Sequence, residues 1–339
     1  MIKLLLSLLS NFFSTSKLFY IVDSAAWSIR HDGIMITSNI TKIKASITLT
    51  HVGLRNSIVH YGSIGSFISG KKIKLAHSSN RIIVTWFHVE VNDSRIKLIP
   101  EANNYVNLWH TSCYSMKNKM IVMGIPKEKI IIIPLGVDTN IFQLNKQSNI
   151  NNLPKNTITI GSFQKDGIGW GSGDEPKMVK GPDIFCDVVE RLSSRYNIFV
   201  LLTGPSRGYV KNRLDKSKIS YRHDMLSDMN SLVDYYNMLD LYIITSREEG
   251  GPKALLESLA CGVPLVSTKV GMSTELIEHS KNGYLVDIDD IDGLYSYACK
   301  VIDSKEISNK FSMNGIKTVR NYNWKNISAK YKKHLYSDI

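Results

Sequence analysis

From Lys17 onward, short apolar runs alternate with longer stretches of helical period, the pattern of an α/β protein whose parallel strands are joined by helices. In the first half the predicted strands are Leu18–Val22, Ala45–Leu49, Ile58–Tyr61, Ile82–Trp86 and Ile130–Pro134. The last begins with four consecutive isoleucines, as expected of a parallel strand buried on both faces. Helices are predicted over Ser28–Asn39 and Ala102–Met123. Asn145–Asn156 then reads NKQSNINNLPKN, polar and nearly free of apolar residues, which is a linker by composition. The alternation restarts with strands Ile158–Ser162, Ile198–Thr203, Leu241–Thr245, Pro264–Thr268 and Gly283–Val286, and with helices over Gly181–Leu192, Asp228–Leu239 and Ala254–Cys261. The last thirty residues predict paired helices, with Phe311, Val319, Trp324, Ile327, Tyr331 and Leu335 as apolar positions. The expected fold is therefore two doubly wound halves joined by a linker. Such sheets bind ligands beyond the carboxyl ends of their strands, so the cleft between the halves is the expected site.

Length supports this division, since 339 residues exceed the usual size of one compact domain. An apolar share of 43% with 21% charged residues is that of a soluble globular chain. Lys and Arg outnumber Asp and Glu by 42 to 30, a charge of +12 that favours acidic partners such as anionic lipid or phosphorylated substrates. The basic residues run along the whole chain, with small clusters at Lys71, Lys72 and Lys74 and at Lys330, Lys332 and Lys333. Zinc-finger spacing, a basic heptad helix and an aromatic RNA-binding signature are all absent, so nucleic acid is not an expected partner. The four cysteines, Cys113, Cys186, Cys261 and Cys299, form no CxxC pair, which suits reduced, buried thiols and a cytoplasmic address. The opening MIKLLLSLLSNFF is too short to span a bilayer. A secretory signal is one reading, without a convincing small-residue cleavage pattern; the others are an amphipathic helix on an anionic membrane surface and a helix packed on the protein.

The chemistry concentrates in Ser246–Ser267, SREEGGPKALLESLACGVPLVS. An apolar strand ends at Thr245, and a helix opens after Gly250, Gly251 and Pro252. The glycines let a ligand approach the backbone, and the helix start offers free N–H groups to an anion. Glu249 lies on the loop, where a carboxylate can accept from sugar hydroxyls. Glu257 lies inside the helix, where it can accept from a ribose diol.

This segment resembles the glutamate-x7-glutamate motif of glycosyltransferase family 4, retaining enzymes of the GT-B fold. Glu249 and Glu257 have the motif's separation, and LLESLACGVPLVS and KVGMSTELIEHSKNGYLVD continue the pattern. Ile133-Pro134-Leu135-Gly136-Val137-Asp138 with Phe142 is similar to the stretch that closes the family's N-terminal domain. Thr85-Trp86-Phe87-His88 is similar to its His-bearing loop. The resemblance implies two Rossmann-like domains facing a central cleft and followed by C-terminal helices. The expected boundaries are an acceptor-side domain over 1–145, a linker over 146–156, a nucleotide-sugar domain over 157–320, and a helix over 321–339 packing back towards the first domain.

By the same resemblance Glu249 contacts the transferred sugar, Glu257 the nucleotide ribose, and His88 lies near the reaction centre. Gly250, Gly251 and Pro252 line the phosphate and sugar side. Lys180, in the Lys180-Gly181 pair, neutralises the diphosphate as it departs. The family's companion arginine is missing, since Ser162 or Phe163 stands in its place; Lys165 and Arg207 are the candidate substitutes. A glycine-rich insert, Gly167–Gly173, occupies the same neighbourhood. The implied activity is transfer of a hexose or deoxyhexose from a nucleotide diphosphate sugar to a glycan or lipid-linked acceptor in bacterial surface polysaccharide assembly, at the inner membrane face. No cofactor and no divalent metal are expected, and Asp287-Ile288-Asp289 reads as a solvated turn. The alternatives are a nucleotide-sugar epimerase of the same fold and a non-enzymatic basic protein that binds nucleic acid or polysaccharide.

Overall fold

The computed structural model describes residues 2–23, 28–88, 93–145, 153–226 and 228–337. Residues 146–152 of the predicted linker lie outside them. The chain divides into two compact units, one of residues 1–136 with 323–339, the other of residues 137–322.

In the first unit, helix α1 (Ile2–Phe13) precedes strand β1 (Leu18–Ile21), helix α2 (Ser28–Asn39), β2 (Ala45–Thr48) and β3 (Ile58–Tyr61). A short helix α3 (Ile64–Phe67) and a hairpin of β4 (Ile68–Ser69) and β5 (Lys72–Ile73) follow, then β6 (Arg81–Thr85) and α4 (Ile99–Ala102). β7 (Leu108–Thr111), α5 (Tyr114–Val122) and β8 (Ile130–Ile132) complete the sheet, in the order β2-β1-β3-β6-β7-β8 with every pair parallel. Parallel pairing forces helical crossovers over the faces, which is why β1 and β3 are buried at every position.

Of the predicted helix over Ala102–Met123 only α5 is a helix; Ala102 ends α4, and a turn and strand β7 occupy the residues between. Leu108-Trp109-His110-Thr111 pairs with β6 and β8, and its buried His110 and Thr111 disguise it as a polar helical face. The isoleucine run is also not buried on both faces throughout. β8 is an edge strand, so Ile131 and Ile132 are only half-buried.

In the second unit, β9 (Ile158–Ser162), α6 (Pro182–Ser193), β10 (Ile198–Thr203), α7 (Gly208–Lys216), β11 (Ser220–Asp224), α8 (Leu232–Tyr236) and β12 (Leu241–Ile244) follow in turn. Then come α9 (Lys253–Ala260), β13 (Leu265–Thr268), α10 (Ser273–Leu276), β14 (Tyr284–Val286), α11 (Ile291–Asp303) and α12 (Lys305–Val319). The sheet order is β11-β10-β9-β12-β13-β14, again all parallel. α6 shows why the sequence folds this way. Pro182 starts it at the position that needs no N–H, and Ile184, Phe185, Val188, Val189 and Leu192 form one buried face. Truncating Phe185 to alanine would cost about 3–5 kcal/mol.

The last helix, α13 (Trp324–Leu335), returns to the first unit and packs on α2, with Trp324, Ile327, Tyr331 and Leu335 buried. Beneath it lies a buried polar chain. His60 Nδ1 pairs with Tyr336 Oη at 2.5 Å, and His60 Nε2 with Thr85 Oγ1 at 2.7 Å. Thr85 Oγ1 pairs in turn with His110 Nδ1 at 2.8 Å, and His110 Nε2 meets the Ile133 carbonyl at 3.0 Å. Burial, followed by the charge His110 would carry, holds His60 well below its ordinary pKa. Burial takes His110 down to about 4 against the opposing pull of the Ile133 carbonyl and Asp32. All four cysteines are buried, and none is in a disulfide.

Candidate functional site

The site is built at the carboxyl ends of β9 and β12, the central strands of the second sheet. After β12 the chain turns through Thr245–Pro252 into α9, and neighbouring elements hold this loop from both sides. Arg247 N and Glu248 N donate to the Val179 carbonyl at 2.9 and 3.2 Å, and Met272 N donates to the Gly250 carbonyl at 3.0 Å. Gly271 has a positive φ of 45°, and a Cβ there would collide with the Glu249 and Gly250 carbonyls. The Arg247 side chain donates to both carboxylate oxygens of Asp183 at 2.8 and 2.7 Å and to Asp289 Oδ1 at 2.7 Å. This arginine clamps the loop to the start of α6 and to the turn after β14. Asp289 therefore belongs to a structural ion pair, and Asp287 pairs with Lys269 at 2.7 Å.

The clamped loop brings Glu249 to Lys180. Glu249 is buried, accepts from the Lys180 ammonium, and accepts from Ser246 Oγ at 3.2 Å. Lys180 ends a single 3-10 turn, Met178–Lys180, which closes on Gly181 in the left-handed conformation (φ 62°, ψ 41°). Only glycine fits there, because a Cβ would strike the Thr245 carbonyl. Thr245 Oγ1 then donates to the Gly181 carbonyl at 2.8 Å, and Gln164 Nε2 to the Lys180 carbonyl at 3.2 Å. Two segments distant in sequence are thereby fixed to within one hydrogen bond. The result is a carboxylate and an ammonium side by side, a pair able to accept from hydroxyls and to bind an anion.

Glu257 lies in the second turn of α9, half-exposed, with Oε2 accepting from Tyr236 Oη at 2.8 Å. Tyr236 is fully buried. Burial first, then the Glu257 charge, hold its hydroxyl well above its ordinary pKa, so it stays a donor. Its ring sits 4.9 Å from Phe163, at the position where an arginine was expected. Phe163 thus extends an aromatic floor with Tyr235, Tyr236 and Tyr242. Tyr236 and Gln164 escaped the sequence reading; neither stands in a motif, and only the fold brings them to Glu257 and Lys180.

The two candidate replacement cations have different fates. Lys165 is half-buried, with its ammonium 4.7 Å from the centroid of the exposed Trp170 ring. Arg207 is not a surface cation. Its Nη1 donates to the carbonyls of Ser162, Gln164 and Thr203 at 2.6, 2.7 and 3.1 Å, and its Nη2 to Ser162 Oγ at 2.8 Å. Its Nε lies 3.0 Å from Asp166 Oδ1, with both side chains sealed from solvent. Burial raises the Asp166 carboxyl above its ordinary value against the pull of the Arg207 charge. Arg207 therefore ties the ends of β9 and β10 together and presents no face to a ligand. The glycine-rich insert is ordered on the same turn. Gly208 N donates to the Ser172 carbonyl at 2.8 Å, Tyr209 N to the Gly173 carbonyl at 2.9 Å, and Ile168 N to the Glu175 carbonyl at 2.9 Å.

His88 belongs to the first unit, just beyond β6, and its side chain is exposed. Its carbonyl accepts from Trp86 Nε1 at 2.6 Å. Among the described residues no group of three or more His, Cys, Asp or Glu is placed to hold a metal ion.

Residues 176–318 match the family described as glycosyl transferases group 1. The chain is 26% identical over 165 residues to the N-acetyl-alpha-D-glucosaminyl L-malate synthase of Bacillus anthracis, covering 49% of this chain and 40% of the relative. It is 28% identical over 154 residues to the lipopolysaccharide core biosynthesis mannosyltransferase LpsB of Rhizobium meliloti, covering 42% of this chain and 44% of that one. The chain thus spans less than half the length of these two relatives. Among solved structures, Anabaena HepE in complex with UDP-glucose superimposes with a TM-score of 0.73 at 14% identity, covering 95% of this chain and 100% of that one. The fold is GT-B, and the match to glycosyl transferases group 1 lies within its second unit.

Proposed function

We propose that this protein is a retaining glycosyltransferase that moves a hexose or deoxyhexose from a nucleotide diphosphate sugar to a glycan or lipid-linked acceptor in surface polysaccharide assembly. The observation that carries the reading is the Lys180–Glu249 pair, with Glu249 on the loop that leads into α9 and Glu257 in the second turn of that helix. Similar proteins include enzymes described as acting in lipopolysaccharide, amylovoran and capsule biosynthesis, and HepE was solved with UDP and with UDP-glucose.

In this reading Glu257, oriented by Tyr236, accepts from the ribose diol. Glu249 accepts from the transferred sugar, and Gly250, Gly251 and Pro252 let the diphosphate and sugar approach the backbone. Lys180 stabilises the negative charge that develops on the diphosphate, with Lys165 as the second cation. The reading also assigns His88 to the donor sugar or acceptor, a role that His88→Ala tests in the transfer assay. The bond from the anomeric carbon to the diphosphate oxygen breaks, and its electron pair stays on the diphosphate. The acceptor oxygen bonds to the same face of that carbon and gives up its proton. The charge is met by protein cations, so no divalent metal is required, and turnover persists in a chelator.

The test is a thermal-shift screen of the purified protein against UDP, GDP and dTDP sugars, followed by transfer assays. Glu257→Ala and Lys180→Ala each abolish transfer without unfolding the protein, which circular dichroism checks. Wild-type turnover in either variant would sink the assignment. Conversion of donor without acceptor would replace it with an epimerase.

A further inference from the structure

The first helix is built inside out. α1 meets the rest of its unit through polar side chains. Ser7 Oγ pairs with Thr48 Oγ1 at 2.7 Å and accepts from Leu49 N at 2.9 Å. Asn11, one turn on, is buried and donates to the carbonyls of Thr50 and Val52 at 2.9 and 3.0 Å. Leu8 is half-buried and the Phe12 ring reaches Gly53, but most of the apolar surface of the helix is left open. Ile2, Leu5, Leu6, Leu9, Phe12 and Phe13 recur at the spacing of a single helical stripe, and they are between 49% and 84% exposed. Val52, beside the Asn11 anchor, is exposed as well. A stripe of this kind normally faces a core. A contiguous apolar surface this large on a soluble chain marks something that covers it.

Charge identifies the cover. The first unit holds 20 Lys and Arg against 7 Asp and Glu, whereas the second holds 22 against 23. The whole positive surplus of the protein therefore belongs to the unit that carries the stripe. Lys3 lies on α1 itself. Lys17 follows its end, the Lys44 ammonium donates to Thr15 Oγ1 there, and Arg55 follows the loop that anchors Asn11; all four are exposed. Residues 1–88 contain only two carboxylates, Asp23 and the buried Asp32. A second copy of the chain fits badly, because apposed stripes would bring these cations together. A helix of twelve residues, about 18 Å long and 10 Å across, is also small for the ~800 Å² per side of a stable interface.

We propose that α1 is a docking helix that lies in the plane of an anionic lipid leaflet. Its stripe enters the acyl boundary, and Lys3, Lys17, Lys44 and Arg55 meet the phosphate headgroups. Ser7 and Asn11 hold the helix to β2 and the loop after it, so docking fixes the first unit to the membrane rigidly. The inference deepens the reading of a lipid-linked acceptor and takes its functional meaning from it, but it is measured without sugar transfer.

The test is flotation of the full chain with vesicles of phosphatidylcholine, alone or mixed with phosphatidylglycerol. The wild type floats with the mixed vesicles and binds less as salt rises. The triple variant Leu5→Gln, Leu9→Gln, Phe13→Gln loses about tenfold or more of its partitioning, or about 1.4 kcal/mol. Its melting temperature is unchanged, since these side chains are already in water. Val122→Gln, on an equally exposed apolar residue of α5, has no effect. A second variant, Lys3→Glu with Lys17→Glu, loses binding to the mixed vesicles without any change to the stripe. Failure of the wild type to float overturns the proposal, as does full binding by the triple variant. A concentration-dependent dimer that the triple variant dissolves overturns it in favour of a second copy. Vesicle binding by a protein that transfers no sugar would leave docking intact and sink the transferase reading. Transfer to a soluble acceptor by a protein that ignores vesicles would do the reverse.

Discussion

Arg207 offers the sharpest test, because the sequence and the structure assign it different work. As a phosphate ligand it would be dispensable for folding and necessary for donor binding. As the structure has it, four internal oxygens accept from its Nη groups, the carbonyls of Ser162, Gln164 and Thr203 and Ser162 Oγ, while the Asp166 carboxylate balances its charge with Oδ1 3.0 Å from Nε. Arg207→Met keeps most of the volume and removes the charge. Asp166 is then left buried and unpaired, which costs about 3–5 kcal/mol. At about 2–4 °C per kcal/mol for a domain of this size, the second unit should melt roughly 6–20 °C lower. Arg207→Met with Asp166→Asn should recover part of that loss, since the stranded carboxylate is gone.

The pH dependence carries the same signature. Burial raises the Asp166 carboxyl, and losing Arg207 removes the charge that opposes the rise. A carboxyl whose folded pKa lies above its unfolded value adds stability below the unfolded value. It withdraws that stability as pH rises through the folded one. The melting gap between Arg207→Met and wild type should therefore be widest at neutral pH and narrow towards the ordinary carboxyl value of 3.8. Differential scanning calorimetry across pH reads both effects, and titration of the folded variant with a nucleotide sugar gives donor affinity. A variant that melts like the wild type but no longer binds donor would refute the structural role and restore Arg207 as a phosphate ligand.

Three further outcomes follow from the same geometry. Gly181→Ala adds a left-handed backbone cost of about 1–2 kcal/mol to a collision with the Thr245 carbonyl, so it should lower the melting temperature and displace Lys180; calorimetry with donor titration checks it, and a wild-type result would mean that the turn is not held as described. Tyr236→Phe deletes the 2.8 Å bond to Glu257, a charge-assisted bond worth about 1.5–3 kcal/mol. Donor affinity should fall about tenfold or more, with KM rising while kcat changes little; an unchanged KM would separate Glu257 from the ribose. His60 and His110 are held neutral, with the His110 pKa down to about 4 from an ordinary 6.5. A depressed folded pKa means stability that is present above 6.5 and lost as pH falls towards 4, so acid should loosen the first unit over that window. His110→Gln should shrink this dependence in melts followed by tryptophan fluorescence, and an identical pH profile in the variant would count against it.

What could be read in advance depended on whether a residue's environment is local. The strands Ile58–Tyr61, Ile158–Ser162 and Ile198–Thr203 were legible to the residue, because a buried parallel strand is an apolar run whatever surrounds it. β7 and β11 were not. His110 and Thr111 are tolerated in the core only because Thr85, Tyr331 and the Ile133 carbonyl meet the histidine there, and Ser220–Asp224 is an edge strand with half-exposed sides. The same distinction separates the two cations of the second unit. Lys180 stands before a glycine and a proline that themselves require a turn and a helix start, so its position follows from its neighbours. Arg207 stands in a Gly-Pro-Ser-Arg-Gly turn that reads as surface, and nothing local announces that Asp166 and the carbonyl ends of β9 will close around it. α1 is the converse case. Its stripe was legible and its period helical, but the side that faces the protein was settled by Ser7 and Asn11, whose partners at Thr48–Val52 become neighbours only when β2 pairs beside β1. Polarity in a sequence gives the kind of partner a side chain needs; whether the protein has already supplied that partner decides how much is left for a ligand.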